Sequence, residues 1–200
     1  MPEWILAFID GEYLRLRATA LDIVIDPERL YRMIAGTGDV SKASICLKGQ
    51  PNTKDIAVTQ EATDTGFDII YLSSETKKDA FGRDVQSGQT FTQFVMEELV
   101  YNEGAIHAHR VMLLTDDDDL VPVISSLQRQ GLEVIVVSDE PTPNRMASEA
   151  TQYIKLTDWA PHIRRQDPPD GDDEGGGEPV PTPDGPSDRP PRTDGALADN

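Results

Sequence analysis

Two hundred residues with a formal charge of −18 suffice for one ordinary domain, because a single hydrophobic core serves chains of roughly 100–200 residues. The acidity excludes capture of nucleic acid by a generally basic surface, since phosphate binding rests on Lys and Arg, yet it leaves room for an acidic pocket filled by divalent cations. The single cysteine, Cys46, excludes an intrachain disulfide and a Cys-based zinc cluster.

The first apolar run, Trp4 to Ile9, ends in Asp10-Gly11 and predicts a buried strand followed by a turn. It is too short for a secretory leader and lacks a basic start, and no segment approaches the ~20 apolar residues of a membrane span, so a cytoplasmic protein is the expectation. Leu14 to Ala20 and Pro27 to Ile34 are expected as helices, the second with Pro in its first turn. Gly36-Thr37-Gly38 breaks the pattern before a second strand, Ala43 to Leu47, which holds Cys46. A helix over Thr53 to Thr63, a third strand over Phe67 to Leu72 and a polar loop over Ser73 to Arg83 follow.

Thr90 to Asn102 is the clearest helix, with Phe91, Phe94, Val95, Glu98 and Leu99 on one side and Gly104 as its stop. Val111 to Leu114 predicts a fourth strand, and Thr115 leads from it into four aspartates, Asp116 to Asp119. A helix over Leu120 to Gln130, a stop at Gly131 and a fifth strand over Leu132 to Val137 come next. Ala147 to Tyr153 is expected as a helical turn or two, with Ile154 to Leu156 as an added edge strand. From Gln166 to Asn200 ten acids, two arginines and many Pro and Gly leave almost nothing to bury, which predicts a disordered tail after a domain of residues 1–165 and leaves that domain near −10.

Continuous apolar strands alternating with helices predict a three-layer α/β/α domain around a parallel sheet of about five strands. Ligands of such sheets lie outside the carboxyl ends of the strands. Two strands here run directly into acid, at Asp10 and at Asp116 to Asp119. Carboxylates clustered there repel unless a cation neutralises them, which points to Mg²⁺ or Mn²⁺. A competing reading stays open: Asp-Gly after a strand is also a turn signal, and an aspartate run is also a solvated surface or a helix N-cap.

Phe8-Ile9-Asp10-Gly11 followed by a helix resembles the opening of NYN domains, a PIN-like nuclease group that includes the LabA-type proteins. Val111 to Val123, with its Thr115-Asp116-Asp117-Asp118-Asp119 core, resembles the family's "LLSGDSDFVPLV" signature, and Gln128 to Val137 resembles its "RERGKRVEVV" continuation. Ala147 to Ile154 is similar to the helix that closes the family's domain, so the resemblance spans about Trp4 to Trp159.

The resemblance implies a PIN-like, Rossmann-like sheet and a metal-dependent ribonuclease that hydrolyses RNA phosphodiester bonds with Mg²⁺ or Mn²⁺. Carried over by position, it gives Asp10, Asp84, Asp117 and Asp119 as catalytic and metal-binding acids, with Asp84 in Gly82-Arg83-Asp84-Val85 as the middle acid. The family's helix acid falls near Thr90 in a direct count and near Glu97 or Glu98 when aligned back from Gly104, and helical spacing favours Glu98. Three departures are notable: Asp116 replaces a glycine, Leu120 a phenylalanine, and Tyr13 a common asparagine. They keep open a degenerate NYN domain that binds RNA or a protein without cutting.

Lys48, Lys54, Lys77, Lys78 and Arg83 are candidate phosphate contacts at the site edge. The histidines, His107, His109 and His162, are expected to stay out of the chemistry. A homodimer is plausible for so small a domain, and the acidic tail is suited to a basic partner. A haloacid-dehalogenase type would want Asp-x-Asp after the first strand, where this chain has Asp10-Gly11-Glu12.

Overall fold

The computed structural model describes residues 3–49, 56–78, 84–101, 108–139 and 145–166, with the backbone alone at 56, 74–77, 84–87, 100 and 101. The expected tail lies outside the described residues. β1 (Trp4–Asp10) is buried over Ile5 to Ile9 and runs without a loop into α1 (Gly11–Ala20). Next come α2 (Pro27–Ala35), β2 (Asp39–Lys48), α3 (Ile56–Thr65) and β3 (Asp68–Leu72). A hairpin of β4 (Ser74–Lys78) and β5 (Asp84–Gly88) leads to α4 (Phe91–Tyr101) and β6 (Arg110–Leu114). A 3₁₀ turn (Asp118–Leu120), α5 (Val121–Arg129), β7 (Glu133–Ser138), α6 (Arg145–Glu149), β8 (Gln152–Lys155) and α7 (Leu156–Ile163) complete the order.

The main sheet is parallel throughout, in the order β3-β2-β1-β6-β7-β8. Alternate residues of each strand face opposite layers. Ile5, Ala7 and Ile9 of β1 pack with Tyr13, Leu14, Leu30, Ile34, Ala62, Trp159 and Ile163, so α1, α2, α3 and α7 cover one face. Leu6 and Phe8 pack with Phe91, Phe94, Val95, Ile124, Leu127 and Met146, so α4, α5 and α6 cover the other. The three-layer α/β expectation is met.

Three expectations need correction. The main sheet has six strands rather than about five, because β8 is a true edge strand against β7. The helix expected over Ala147 to Tyr153 ends at Glu149, and Gln152 and Tyr153 already belong to β8. The cause is side-chain anchoring: Thr151 Oγ1 accepts from Val134 N at 3.0 Å, and the Tyr153 hydroxyl donates to the Ser138 carbonyl at 2.7 Å. The polar segment after Ser73 is an antiparallel hairpin, Lys78 opposite Asp84, and not only a loop. Ser74 to Lys78 holds no apolar residue and so carries no alternation that marks a strand.

Gly11 lets α1 leave β1 hard against β2. A Cβ there would sit 2.5 Å from Leu47 Cδ2 and 2.8 Å from the Cys46 carbonyl oxygen. Relief requires moving backbone, so Gly11→Ala is expected to cost about 1–3 kcal/mol of stability in a denaturant melt. An unchanged midpoint would contradict this packing.

Candidate functional site

Strand order reverses at one seam. From β1 the chain steps outward to β2 and β3, then returns through the hairpin and α4 to place β6 on the other side of β1. In open parallel sheets the ligand crevice lies at such a switch point, beyond the strands' carboxyl ends. Ile9 is level with Leu114, so Asp10 is level with Thr115 on the adjacent strand, two residues before Asp117.

Asp10 ends β1 and caps α1. Its Oδ1 accepts from Glu12 N at 3.0 Å and Tyr13 N at 3.2 Å, while Oδ2 takes no partner among the described residues. Burial pushes its carboxyl above the usual range; the Tyr13 and Glu12 amides and the charge of Lys48 pull the other way, and Asp116 adds to the rise. Lys48, exposed at the end of β2, also helps to hold Glu12 below its usual range, after the larger effect of Arg15.

Asp117 is held on three sides. The buried Thr115 hydroxyl accepts from Asp117 N at 3.2 Å. Asp117 Oδ1 accepts from Asp119 N at 3.1 Å and caps the 3₁₀ turn. Its Oδ2 accepts from the Thr92 hydroxyl of α4 at 2.6 Å. Both strand-end aspartates are therefore N-caps as well as acids of the crevice, and the two readings of the sequence coexist in the same side chains.

The remaining candidates are placed differently. Asp119 is exposed in the 3₁₀ turn, beside exposed Asp116 and Asp118. Asp84 opens β5, and its side chain lies outside the described residues. Glu98 is committed to another partner: its side chain, 19% exposed, pairs with Lys42 Nζ at 2.5 Å, and its charge, like that of Asp10, is felt at Cys46. Lys42 is level with Leu6, four residues before Asp10, or about 13 Å along the strand. Among the described residues no three His, Cys, Asp or Glu side chains gather as a metal cage. His109 and His162 are exposed, and His107 lies outside the described residues, as do Lys54 and Arg83.

Two features escaped sequence reasoning. Thr92 is the α4 residue that reaches the crevice; a hydroxyl has no motif, although its place in the first turn of the clearest helix was a usable signal. The second is a polar clamp at the end of β7. Tyr13, in place of the asparagine, accepts from Asp139 N at 2.8 Å through its hydroxyl and lies 3.3 Å from Ser138 Oγ. Burial raises the Tyr13 hydroxyl above its ordinary value. The Asp139 side chain, 5% exposed, takes Arg17 at 3.1 Å and both the amide and hydroxyl of Thr157 at the start of α7. Val137-Ser138-Asp139 repeats the strand-then-aspartate pattern of Ile9-Asp10.

An open doubly wound domain with strand-end acids on both sides of its switch point is thus defined. The NYN domain family model matches residues 5–157, and the chain belongs to that family. Among solved structures it is similar to a protein of unknown function from Vibrio parahaemolyticus RIMD 2210633, with a TM-score of 0.63 and 16% identity over 78% of this chain and 93% of that one. The likeness shows the shared fold. A comparison with curated proteins gives no significant match. No helix among the described residues is long and apolar enough to cross a membrane.

The raised Asp10 carboxyl has a sign. The folded state holds this proton more tightly than the unfolded chain, so the destabilisation caused by its charge is absent below the unfolded value and complete above the raised folded one. Asp10→Asn keeps an N-cap acceptor and removes the charge. In EDTA at neutral pH it is expected to melt above wild type, with the gain vanishing as pH falls through the carboxylate range. A lower melting temperature at neutral pH would contradict the burial argument.

Proposed function

We propose that this NYN domain is a metal-dependent nuclease that hydrolyses phosphodiester bonds in RNA at the carboxyl ends of β1 and β6. The observation that carries the reading is the coincidence of the sheet's switch point with Asp10 and Asp117. The donor set fits a hard divalent cation in kind: carboxylate oxygens, among them those of a desolvated aspartate whose Oδ2 takes no partner among the described residues. Asp10 and Asp117 would hold the ion, with Asp119 and Asp84 as further acids. Bound there, Mg²⁺ or Mn²⁺ would supply an acidified water and neutralise charge on the phosphate.

The chain's own residues then have separable tasks. The amides of Glu12 and Tyr13 orient Asp10, and those of Asp119 together with Thr92 orient Asp117. Lys48 stands at the crevice edge, with its charge felt at Asp10, and suits a phosphate of the substrate strand. The β4–β5 hairpin leaves the sheet after β3, and Gln89 N closes it back on the Ser73 carbonyl at 3.1 Å. Exposed Lys78 on this hairpin is a second candidate for backbone contact. Local cations of this kind are needed because the chain as a whole repels a polyanion. Histidine has no part in the scheme.

Labelled single-stranded RNA with Mn²⁺ tests the reading. Cleavage is expected with wild type, abolished by EDTA, and reduced at least about 100-fold in Asp117→Asn, the scale of losing a group that stabilises transition-state charge. Intact RNA at every metal concentration, with RNA binding retained, would overturn catalysis and leave a degenerate binding module. Glu98's commitment to Lys42 is the observation that favours this second reading.

A further inference from the structure

Helix α4 enters the crevice with its first turn fixed independently of the acids. Thr90 and Gln93 form a reciprocal cap: Gln93 N donates to Thr90 Oγ1 at 3.1 Å, and Thr90 N donates to Gln93 Oε1 at 3.0 Å. Phe91, Phe94 and Val95 bury the same turn against β1 and β6. Thr92 lies between the two capping residues and takes no part in the cap. Its hydroxyl has one hydrogen, and that hydrogen goes to Asp117 Oδ2 at 2.6 Å, across 25 residues of sequence.

We infer that Thr92 is the positioning residue of the acid site, fixing the Asp117 carboxylate from helix α4. This rests on the nuclease reading for its consequence, though not for its geometry. With Asp119 N on Oδ1 and Thr92 on Oδ2, each Asp117 oxygen is held by one donor and keeps a second lone pair for a cation. Without the hydroxyl, Oδ2 has no fixed donor among the described residues, and repulsion from Asp116, Asp118 and Asp119 is free to turn the group outward. Glu98 cannot stand in for Thr92. It lies six residues further along α4, about 9 Å along the axis, and is bound to Lys42. The helix therefore contributes a neutral donor to the site, where a carboxylate was expected from the sequence.

Three proteins test it: wild type, Thr92→Val, which keeps the shape and loses the donor, and Thr92→Ser, which keeps the donor. Mn²⁺ is titrated by calorimetry, and the Asp117 side-chain carboxyl ¹³C signal is followed in metal-free samples of each. Thr92→Val is expected to weaken Mn²⁺ binding about 10–100-fold, the scale of losing a partner that orients a metal ligand, with Thr92→Ser close to wild type. The carboxyl signal should move in the valine variant and return in the serine one. A merely structural threonine would lower the melting temperature and leave both readouts in place, which would overturn the inference. Wild type that binds no Mn²⁺ would sink the nuclease reading alone; the carboxyl signal would still decide the role of Thr92.

Discussion

A strand buried on both faces has one place to put a charge, and that place is its end. β1 sends Ile5, Ala7 and Ile9 into one core and Leu6 and Phe8 into the other. It lies between two parallel strands, so a polar side chain along it would leave an unpaired group in the core, as Ser44 Oγ of β2 is among the described residues. Asp10 is the first residue to leave that environment, and it leaves only in part. Two amides of α1 hold one of its oxygens and burial presses on the charge. Gly11 is the steric condition for this, since any side chain there would collide with Leu47 and the Cys46 carbonyl. The acid, the helix start and the glycine are one construction.

The strand ends also show how a fold separates an acid that works as structure from one left available for a ligand. Asp139 follows β7 much as Asp10 ends β1, but Arg17 and Thr157 hold its carboxylate while the Tyr13 hydroxyl accepts from its amide, and together they tie α1 to α7. Among the described residues Asp10 has no cation in contact, only the more distant charge of Lys48. An unneutralised, partly desolvated carboxylate beside a second acid is a cost to folding unless a cation completes it. Such sites trade stability for function, which is the sense in which the crevice at the β1/β6 seam differs from the clamp one strand away.

The sequence carried most of the framework because the buried strands are apolar runs with glycines or acids at their ends. Strands β1, β2, β3, β6 and β7 and the helix α4 sit where the pattern places them, with boundary shifts of a few residues. What stayed hidden has physical reasons. The β4 segment of the hairpin has no apolar residue, and β5 has only Val85, so neither shows a period. α7 follows β8 with no loop between them, and Pro161 inside it argues against a helix, although Leu156, Trp159, Ala160 and Ile163 do keep helical spacing. At the site, Asp10 and Asp117 were legible as strand-end acids. Thr92 was not, because its role depends on which turn of α4 meets the β6 loop, a fact of packing. Glu98 is the helix acid that alignment back from Gly104 and helix face together select. The face is right, for it points at the sheet, yet a lysine from β2 meets it there.

Binding of a divalent cation at the β1/β6 seam is open to test by paramagnetic broadening of amide NMR signals with substoichiometric Mn²⁺ on the full chain. Loss of signal is expected first around Asp10 to Tyr13 and Thr115 to Asp119, with Thr92 next, while β8 and α7 stay sharp. Broadening confined to the acidic stretch beyond Gln166 would contradict the claim, because Mn²⁺ would then be following bulk charge and not a site built at the strand ends.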